Sequence, residues 1–484
     1  MKIVNLLNKK FNYEFEKTAR LFFPFDRITV TNSKEEADVV ISEEKEEEKP
    51  ILKMTLSLLG SSIEDKVIVD KTESPNEIER NAAVMLYKAL SALTGFSPPW
   101  GILTGVRPAR LYLSKVREMG KENAQEYFRN KLLVSDEKIN LSDEVASREE
   151  SIIASTNLTE YSLYVSIPFC PSRCSYCSFV SHSVESAKKL IPQYIGFLIK
   201  ELLIISKTAD EAGLKLKTVY IGGGTPTTLS PAELDLLLTT IEENFDLDNL
   251  LEFTVEAGRP DTIDIEKLKV IKKHRVNRIS INPQTLSDKV LKNIGRRHTA
   301  KQFTDAFLLA REVGFDNINC DLIAGLPGDD IESFSITLSK ICRLSPESVT
   351  VHALSQKRAS DINIKGEKID NYDKTFCEQA VKLARNYLAK YSFLPYYTYR
   401  QSKTLGNLEN VGYAKRGYEG LYNVFIMDET HTILAAGASA VTKLKSKDKI
   451  KRIFNYKYPY EYIKDFSVLM ERKKEIKDFY KKTR

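Results

Sequence analysis

Residues 161–179, YSLYVSIPFCPSRCSYCSF, decide the reading of this chain. A strand is predicted over Tyr161 to Ile167, and it runs directly into a proline- and serine-rich loop. Cys170, Cys174 and Cys177 sit on that loop in a C-x3-C-x2-C arrangement. Thiolates so close together can wrap one compact inorganic centre, with backbone amides turned toward its sulfides. A structural zinc site or an electron-transfer cluster normally takes four protein ligands, and no other cysteine lies near. A cubane held by three thiolates keeps one iron open for something else. The loop therefore points to a catalytic [4Fe–4S] cluster, with a zinc site borrowing His182, or three unrelated thiols, as the alternatives.

The rest of the chain is compatible with that chemistry. At 484 residues it exceeds one ordinary core, so two or three domains are expected. Hydrophobic content of 42% and charged content of 29% belong to a globular protein without a membrane span. No apolar core precedes a small-residue cleavage site at the N-terminus, and clustered thiols require a reducing compartment, so a cytoplasmic location is expected. A net charge of +6 helps to hold an acidic substrate but is no signature of nucleic-acid binding.

Residues 1–153 are expected to form an accessory α/β domain, with strands near 2–6, 27–31, 38–41, 51–57 and 66–69. The acidic run SEEKEEEKP between the third and fourth reads as a solvated turn. Ser74-Pro75-Asn76-Glu77 is a capping box with proline at the first helical position. Ile78, Ala82, Met85, Ala89 and Leu93 then make one apolar stripe. PPWGILTGVRPARL, with the single Trp100, reads as a packed linker.

From Tyr161 onward, strand, loop and helix repeat. Strands are predicted near 161–167, 217–221, 251–256, 277–282, 317–323 and 348–354. This spacing means right-handed βαβ units and a parallel sheet. Six units make an incomplete (β/α) barrel over residues 154–365, with residues 366–484 as a C-terminal α/β extension covering the substrate. In such barrels the chemistry sits at the C-terminal strand ends. There the sequence places Gly222-Gly223-Gly224-Thr225-Pro226, Glu256, Gln284, Arg296-Arg297-His298 and Asp321. A lone strand-end carboxylate is more often a cap or an ion-pair partner, but polar residues ending three successive strands beside the cysteine loop form a set. Cys320, Cys342 and Cys377 are isolated and read as structural thiols.

These segments together resemble the radical S-adenosylmethionine (SAM) superfamily: the cysteine loop, YIGGGTP, the strand-end glutamate, the glutamine and DLIAGLPG. Within it, LYVSIPFC, IGRRHT and DNINCDLIAGLPG are similar to oxygen-independent coproporphyrinogen III oxidase. LTGVRPARL, EFTVEAGRPDT, RISINPQTL, TVHALSQKRAS and GNLENVGYA resemble the HemZ group, the coproporphyrinogen dehydrogenases. The likeness spans roughly residues 101–443.

The resemblance implies that Cys170, Cys174 and Cys177 bind three irons, and that the fourth chelates the methionine end of SAM. It places Tyr164 behind the cluster and sulfonium, and Gly223, Gly224 and Thr225 at the methionine amine. Glu256, Gln284, Arg296 and Asp321 match positions holding the methionine and ribose parts. The implied reaction converts two propionates of coproporphyrinogen III to vinyls, giving protoporphyrinogen IX, with a flavodoxin or ferredoxin as electron donor. A four-carboxylate tetrapyrrole needs basic anchors, for which Arg259, Arg297, Lys357, Arg358, Arg400 and Arg416 are candidates. Two positions depart from the oxidases: Ser166 stands where they have histidine, and Phe179 where they have a further cysteine. Heme chaperones of the superfamily share the phenylalanine but carry HNxxYW, where this chain has Tyr422 to Met427. A heme chaperone and a radical SAM methyltransferase are the alternative functions.

Overall fold

The structure is a computed structural model describing residues 1–46, 49–70, 72–154, 156–179, 181–355, 374–447 and 449–483. The candidate anchors Lys357 and Arg358 lie outside the described residues. The chain divides into two compact units, residues 1–146 with 400–408 and residues 147–399 with 409–484.

In the first unit, β1 (Lys2–Asn5), β2 (Thr29–Thr31), β3 (Val39–Glu46), β4 (Lys49–Leu58) and β5 (Ser61–Ile68) form one sheet, ordered β2-β1-β3-β4-β5. Two helices, α1 (Asn12–Phe22) and α2 (Pro75–Thr94), bury Phe15, Ala19, Met85 and Leu90. The Ser74 capping box forms as expected: the Ser74 amide donates to Glu77 Oε2 at 2.9 Å and the Glu77 amide to Ser74 Oγ at 3.4 Å. Residues 42–46 of the acidic run are strand, not loop. Residues 42–46 continue β3 and pair with β4 as far as Glu46 opposite Lys49. An antiparallel ladder needs only backbone groups, and charge supports this one, since Lys53 lies 3.6 Å from Glu44 and 3.2 Å from Glu64 on the flanking strands.

The second unit holds the six expected barrel strands: β6 (Glu160–Ile167), β7 (Lys215–Gly223), β8 (Glu252–Glu256), β9 (Arg278–Ser280), β10 (Ile318–Ala324) and β11 (Ser348–Ala353). All neighbours among them pair in parallel. Helices α3 (Ile191–Glu211), α4 (Pro231–Asn244), α5 (Ile265–Lys273), α6 (Ala300–Val313) and α7 (Ile331–Leu344) make the crossovers. Parallel strands buried on both faces read as apolar runs; Leu163, Val165, Val219, Ile221, Phe253 and Val255 are at most 1% exposed. Each such side chain contributes about 1.5–3 kcal/mol of burial.

The C-terminal segment extends this sheet at both edges. β12 (Leu394–Arg400) and β13 (Glu409–Ala414) follow β11. On the other side β14 (Thr432–Ala436) pairs in parallel with β6, and β15 (Val441–Lys445) and β16 (Ile450–Phe454) complete eleven strands. Helices α8 (Lys374–Lys390), α9 (Leu421–Asp428), α10 (Pro459–Lys464) and α11 (Phe466–Thr483) accompany them. Cys320, Cys342 and Cys377 are buried, as expected of structural thiols. No helix among the described residues is long and apolar enough to cross a membrane.

Candidate active site

Parallel pairing brings the strand C-termini to one end of the sheet, and register decides which side chains meet there. Tyr164 lies opposite Tyr220, Glu256 opposite Ser280, and Asp321 opposite Thr350. The cysteine loop leaves β6 at the same end.

Close backbone approach locks the loop to the glycine bend. The Gly224 amide donates to Ile167 O and the Thr225 amide to Phe169 O, both at 2.8 Å. A Cβ on Gly224 would stand 2.6 Å from Phe169 O and 2.9 Å from Ile167 O, so only glycine fits. Gly223 has φ of 107°, a left-handed conformation that also favours glycine. The Thr225 hydroxyl reaches Cys170 Sγ at 3.5 Å.

A second segment braces the loop from the other side. The Ser175 amide donates to Ile294 O and the Ser172 hydroxyl to Gly295 O, each at 3.0 Å. Arg296 follows, buried, with Nη1 donating to Asn282 O at 2.6 Å and Gly258 O at 3.2 Å, and with its guanidinium facing the Tyr176 hydroxyl and the Cys174 sulfur. Burial raises the Cys170 thiol above its ordinary value and pushes Cys177 up to about 11. A thiol ligates a metal as its thiolate, so binding there has to displace these protons.

Above the loop stands a ladder of tyrosines. Tyr220 stacks on Tyr422 with ring centres 4.5 Å apart, and Tyr164 lies 6.3 Å from the first and 6.2 Å from the second. The Tyr220 hydroxyl donates to Glu256 Oε1 at 2.5 Å. Burial raises the Glu256 carboxyl to about 7, against the lowering effect of that hydrogen bond. Asp321 goes the other way. Burial acts to raise it, but His352 and the Asn319 amide, at 2.8 Å, hold it below the ordinary carboxylate value. The His352 ring lies 3.8 Å from Asp321 and 3.3 Å from the Tyr399 hydroxyl. One site thus holds two carboxylates in different protonation regimes.

Gln284 completes the rim. Its φ is 67°, a strained value for a residue with a side chain, and it is held by an isolated bridge to Leu322. Its Oε1 is buried without a hydrogen-bond partner, as is Arg296 Nε. A buried donor and a buried acceptor left open at one site fit a polar ligand that pairs with both. No group of three or more histidine, cysteine or carboxylate side chains is gathered around a single-ion position among the described residues. Three sulfurs on one loop suit a cubane, whose irons are spread over its corners. The donor set fits a [4Fe–4S] cluster with SAM.

Of the basic candidates, Arg297 and Arg416 are exposed, while Arg259 is buried against the cysteine loop. Arg400 belongs to the first unit, where its guanidinium bonds Leu103 O and lies over the Trp100 ring at 5.5 Å. Four residues of the site carried no role in the sequence reading: Tyr220, Tyr422, His352 and Arg259 as a loop contact. Tyr220 had a usable signal, since YIGGGTP places it in register with Tyr164 at the end of the adjacent strand.

A model of the radical SAM superfamily matches residues 164–341. The oxygen-independent coproporphyrinogen-III oxidase-like protein HemZ of Bacillus subtilis is 35% identical over 496 residues, covering 100% of this chain and 99% of that protein. The heme chaperone HemW of the same organism is 39% identical over 195 residues, 40% of this chain and 50% of the chaperone. Among solved structures, coproporphyrinogen III oxidase HemN from Escherichia coli superposes with a TM-score of 0.52 at 22% identity, over 66% of this chain and 72% of that one, which is a likeness of fold.

Proposed function

Because this chain belongs to the radical SAM superfamily and, within it, to the family of the oxygen-independent coproporphyrinogen-III oxidase-like protein HemZ, we propose that it oxidatively decarboxylates the propionates of a reduced tetrapyrrole, converting coproporphyrinogen III to protoporphyrinogen IX. The observation that carries this reading is the meeting of three loop thiols, a glycine bend and a half-ring of polar strand ends at one end of a parallel sheet. When bound, the [4Fe–4S] cluster supplies one electron to cleave the SAM sulfonium, generating the radical that takes a hydrogen atom from substrate.

The chain's own residues bind and orient. Cys170, Cys174 and Cys177 hold the cluster. The amides of Gly224 and Thr225 are already spent on Ile167 and Phe169, so the bend meets a ligand with carbonyl oxygens, the acceptors an ammonium group needs. Arg296 Nε is the open donor for a carboxylate and Gln284 Oε1 the open acceptor. Glu256 and Asp321 receive hydroxyls, as ribose requires. The rings of Tyr164, Tyr220 and Tyr422 exclude water above the loop. Each vinyl group formed costs the propionate a β-hydrogen atom, carbon dioxide and one electron, so the reaction needs an electron acceptor besides the donor that reduces the cluster. A flavodoxin or ferredoxin suits the donor's role, and Arg297 and Arg416 are the described candidates exposed to a substrate carboxylate.

A second reading, heme carriage, is favoured by one observation: Phe179, beside the last ligand, is 68% exposed. Anaerobic reconstitution with SAM and reductant separates the two. The enzyme yields 5′-deoxyadenosine together with vinyl product from coproporphyrinogen III. Deoxyadenosine without vinyl product rejects the oxidase, and stoichiometric heme binding without turnover supports the carrier.

A further inference from the structure

The three loop thiols have unequal neighbours. Cys170 meets the neutral Thr225 hydroxyl at 3.5 Å, and Cys177 meets the Phe179 amide. Arg259 also acts by charge on Cys170 and Arg296 on Cys177, but of the three it is the Cys174 sulfur that both guanidiniums hydrogen-bond.

Arg259 is built into this place. It is 3% exposed, three residues past the end of β8, where the sequence alone offers it as an anchor for a substrate carboxylate. Its Nε and Nη2 donate to the two oxygens of Asp261 at 3.2 and 3.3 Å. Nη2 also donates to Ser172 Oγ at 2.9 Å, and Nη1 to Ser172 O at 3.1 Å and to Cys174 Sγ at 3.6 Å. Those five bonds use all five N–H donors of a guanidinium. Nothing is left over for a propionate from outside. The group is a bridge, with a carboxylate on one edge and the cysteine loop on the other.

We infer that Arg259, oriented by Asp261, positions the cluster loop and sets the reduction potential of the cluster by holding the positive end of a buried ion pair against the Cys174 sulfur. This rests on Cys174 being a cluster ligand. Reduction adds one negative charge to the cluster, and a donor and positive charge at a coordinating sulfur favour that state. In a site this buried the effect escapes most screening by solvent and salt. Asp261 opposes it from the far edge. The two residues therefore act with opposite sign: removing the guanidinium makes the cluster harder to reduce, and removing the carboxylate charge makes it easier.

The test is a redox titration of the reconstituted protein, without SAM, followed by electron paramagnetic resonance alongside iron and sulfide content. Arg259→Gln is expected to keep its iron and to lower the reduced-to-oxidised ratio about tenfold at a given potential, or about 59 mV for a one-electron couple. Asp261→Asn, which keeps the guanidinium, is expected to shift the midpoint upward. An unchanged midpoint in Arg259→Gln with full iron overturns the inference, and so do shifts of the same sign in both variants. If Arg259→Gln loses iron, Asp261→Asn decides, and an unmoved or lowered midpoint overturns it. Wild-type iron content in Cys174→Ala overturns the inference and, separately, the assignment of that ligand.

Discussion

The Tyr220 hydroxyl donates to Glu256 Oε1 at 2.5 Å, joining the ends of two adjacent barrel strands. With Tyr422 stacked on its other side, Tyr220 is held between the C-terminal extension and the barrel. The carboxylate it touches is enclosed enough to titrate at about 7 rather than its ordinary 4.5.

That shift fixes a pH dependence. A carboxyl whose pKa is raised in the folded state adds its full stability below about 4.5 and loses it as pH climbs through about 7. In the metal-free protein, Glu256→Gln is therefore expected to unfold at higher temperature than wild type at pH 8, with the gap closing at pH 5. The expected difference is on the order of 1–2 kcal/mol, after discounting the full shift for the solvent that reaches the site. Thermal unfolding at the two pH values checks it, and a variant less stable than wild type at pH 8 contradicts it.

Gly224 governs the approach of the glycine bend to the backbone at Ile167 and Phe169 that leads into Cys170. A Cβ there would meet backbone at 2.6 and 2.9 Å, and strand backbone has no rotamer by which to yield. Gly224→Ala is expected to cost about 1–3 kcal/mol and to reduce iron uptake severalfold. Gly258→Ala is the control, because its Cβ would meet only the Asn282 side chain at 3.3 Å. Urea unfolding and iron content per chain measure both, and equal iron in the two variants would dissociate the bend from the cluster loop.

Residues acting through neighbours in the chain were legible beforehand. The cysteine loop, the capping box at Ser74 and the six barrel strands depend on local spacing and periodicity, which the chain carries on its face. The acidic run at 42–46 misleads because charge there signals solvent exposure, not conformation, and a hairpin edge is exposed too. Arg259, His352 and Tyr422 escaped for a different reason. The partners that give them their roles are distant in sequence, 87 positions for Arg259 and Ser172 and 258 for the Tyr164–Tyr422 pair (422 − 164), and only the packing of the sheet brings them together. A guanidinium spent on a sulfur and one awaiting a propionate look alike until burial and donor count are known.

The six cysteines should separate cleanly into two groups. Cys320, Cys342 and Cys377 are buried apart from the loop, and Cys377 donates to Ala324 O at 3.5 Å. Alanine at each is expected to leave the iron content of the reconstituted protein at the wild-type level while costing about 1 kcal/mol of packing. Alanine at Cys170, Cys174 or Cys177 should instead abolish the cluster's absorption. Iron loss in Cys320→Ala at unchanged stability would assign that thiol to a metal and break the grouping.

Glu201 and Lys473 form an ion pair at 2.9 Å with neither side chain exposed. The carboxylate also accepts from Tyr462 Oη at 2.7 Å, Asn455 Nδ2 at 2.8 Å and the Gly437 amide at 2.8 Å, while Lys473 donates to Ala435 O at 2.8 Å. Beside them, Tyr194 accepts from the Ala438 amide at 2.9 Å and donates to Ser166 O at 2.8 Å. The pair thus pins the turn at 437–440 against the strand end that launches the cysteine loop. Removing one partner leaves a buried charge uncompensated, so Lys473→Met or Glu201→Gln alone is expected to cost about 3–5 kcal/mol. The double variant should recover part of that loss, because no lone charge remains and the Tyr462 and Gly437 donors, which share Oε2, still have an amide oxygen to meet. Chemical denaturation of the three variants gives the coupling. Hydrogen exchange at residues 437–440 should quicken in the single variants and return toward wild type in the double. If the losses simply add, the pair is not a coupled unit.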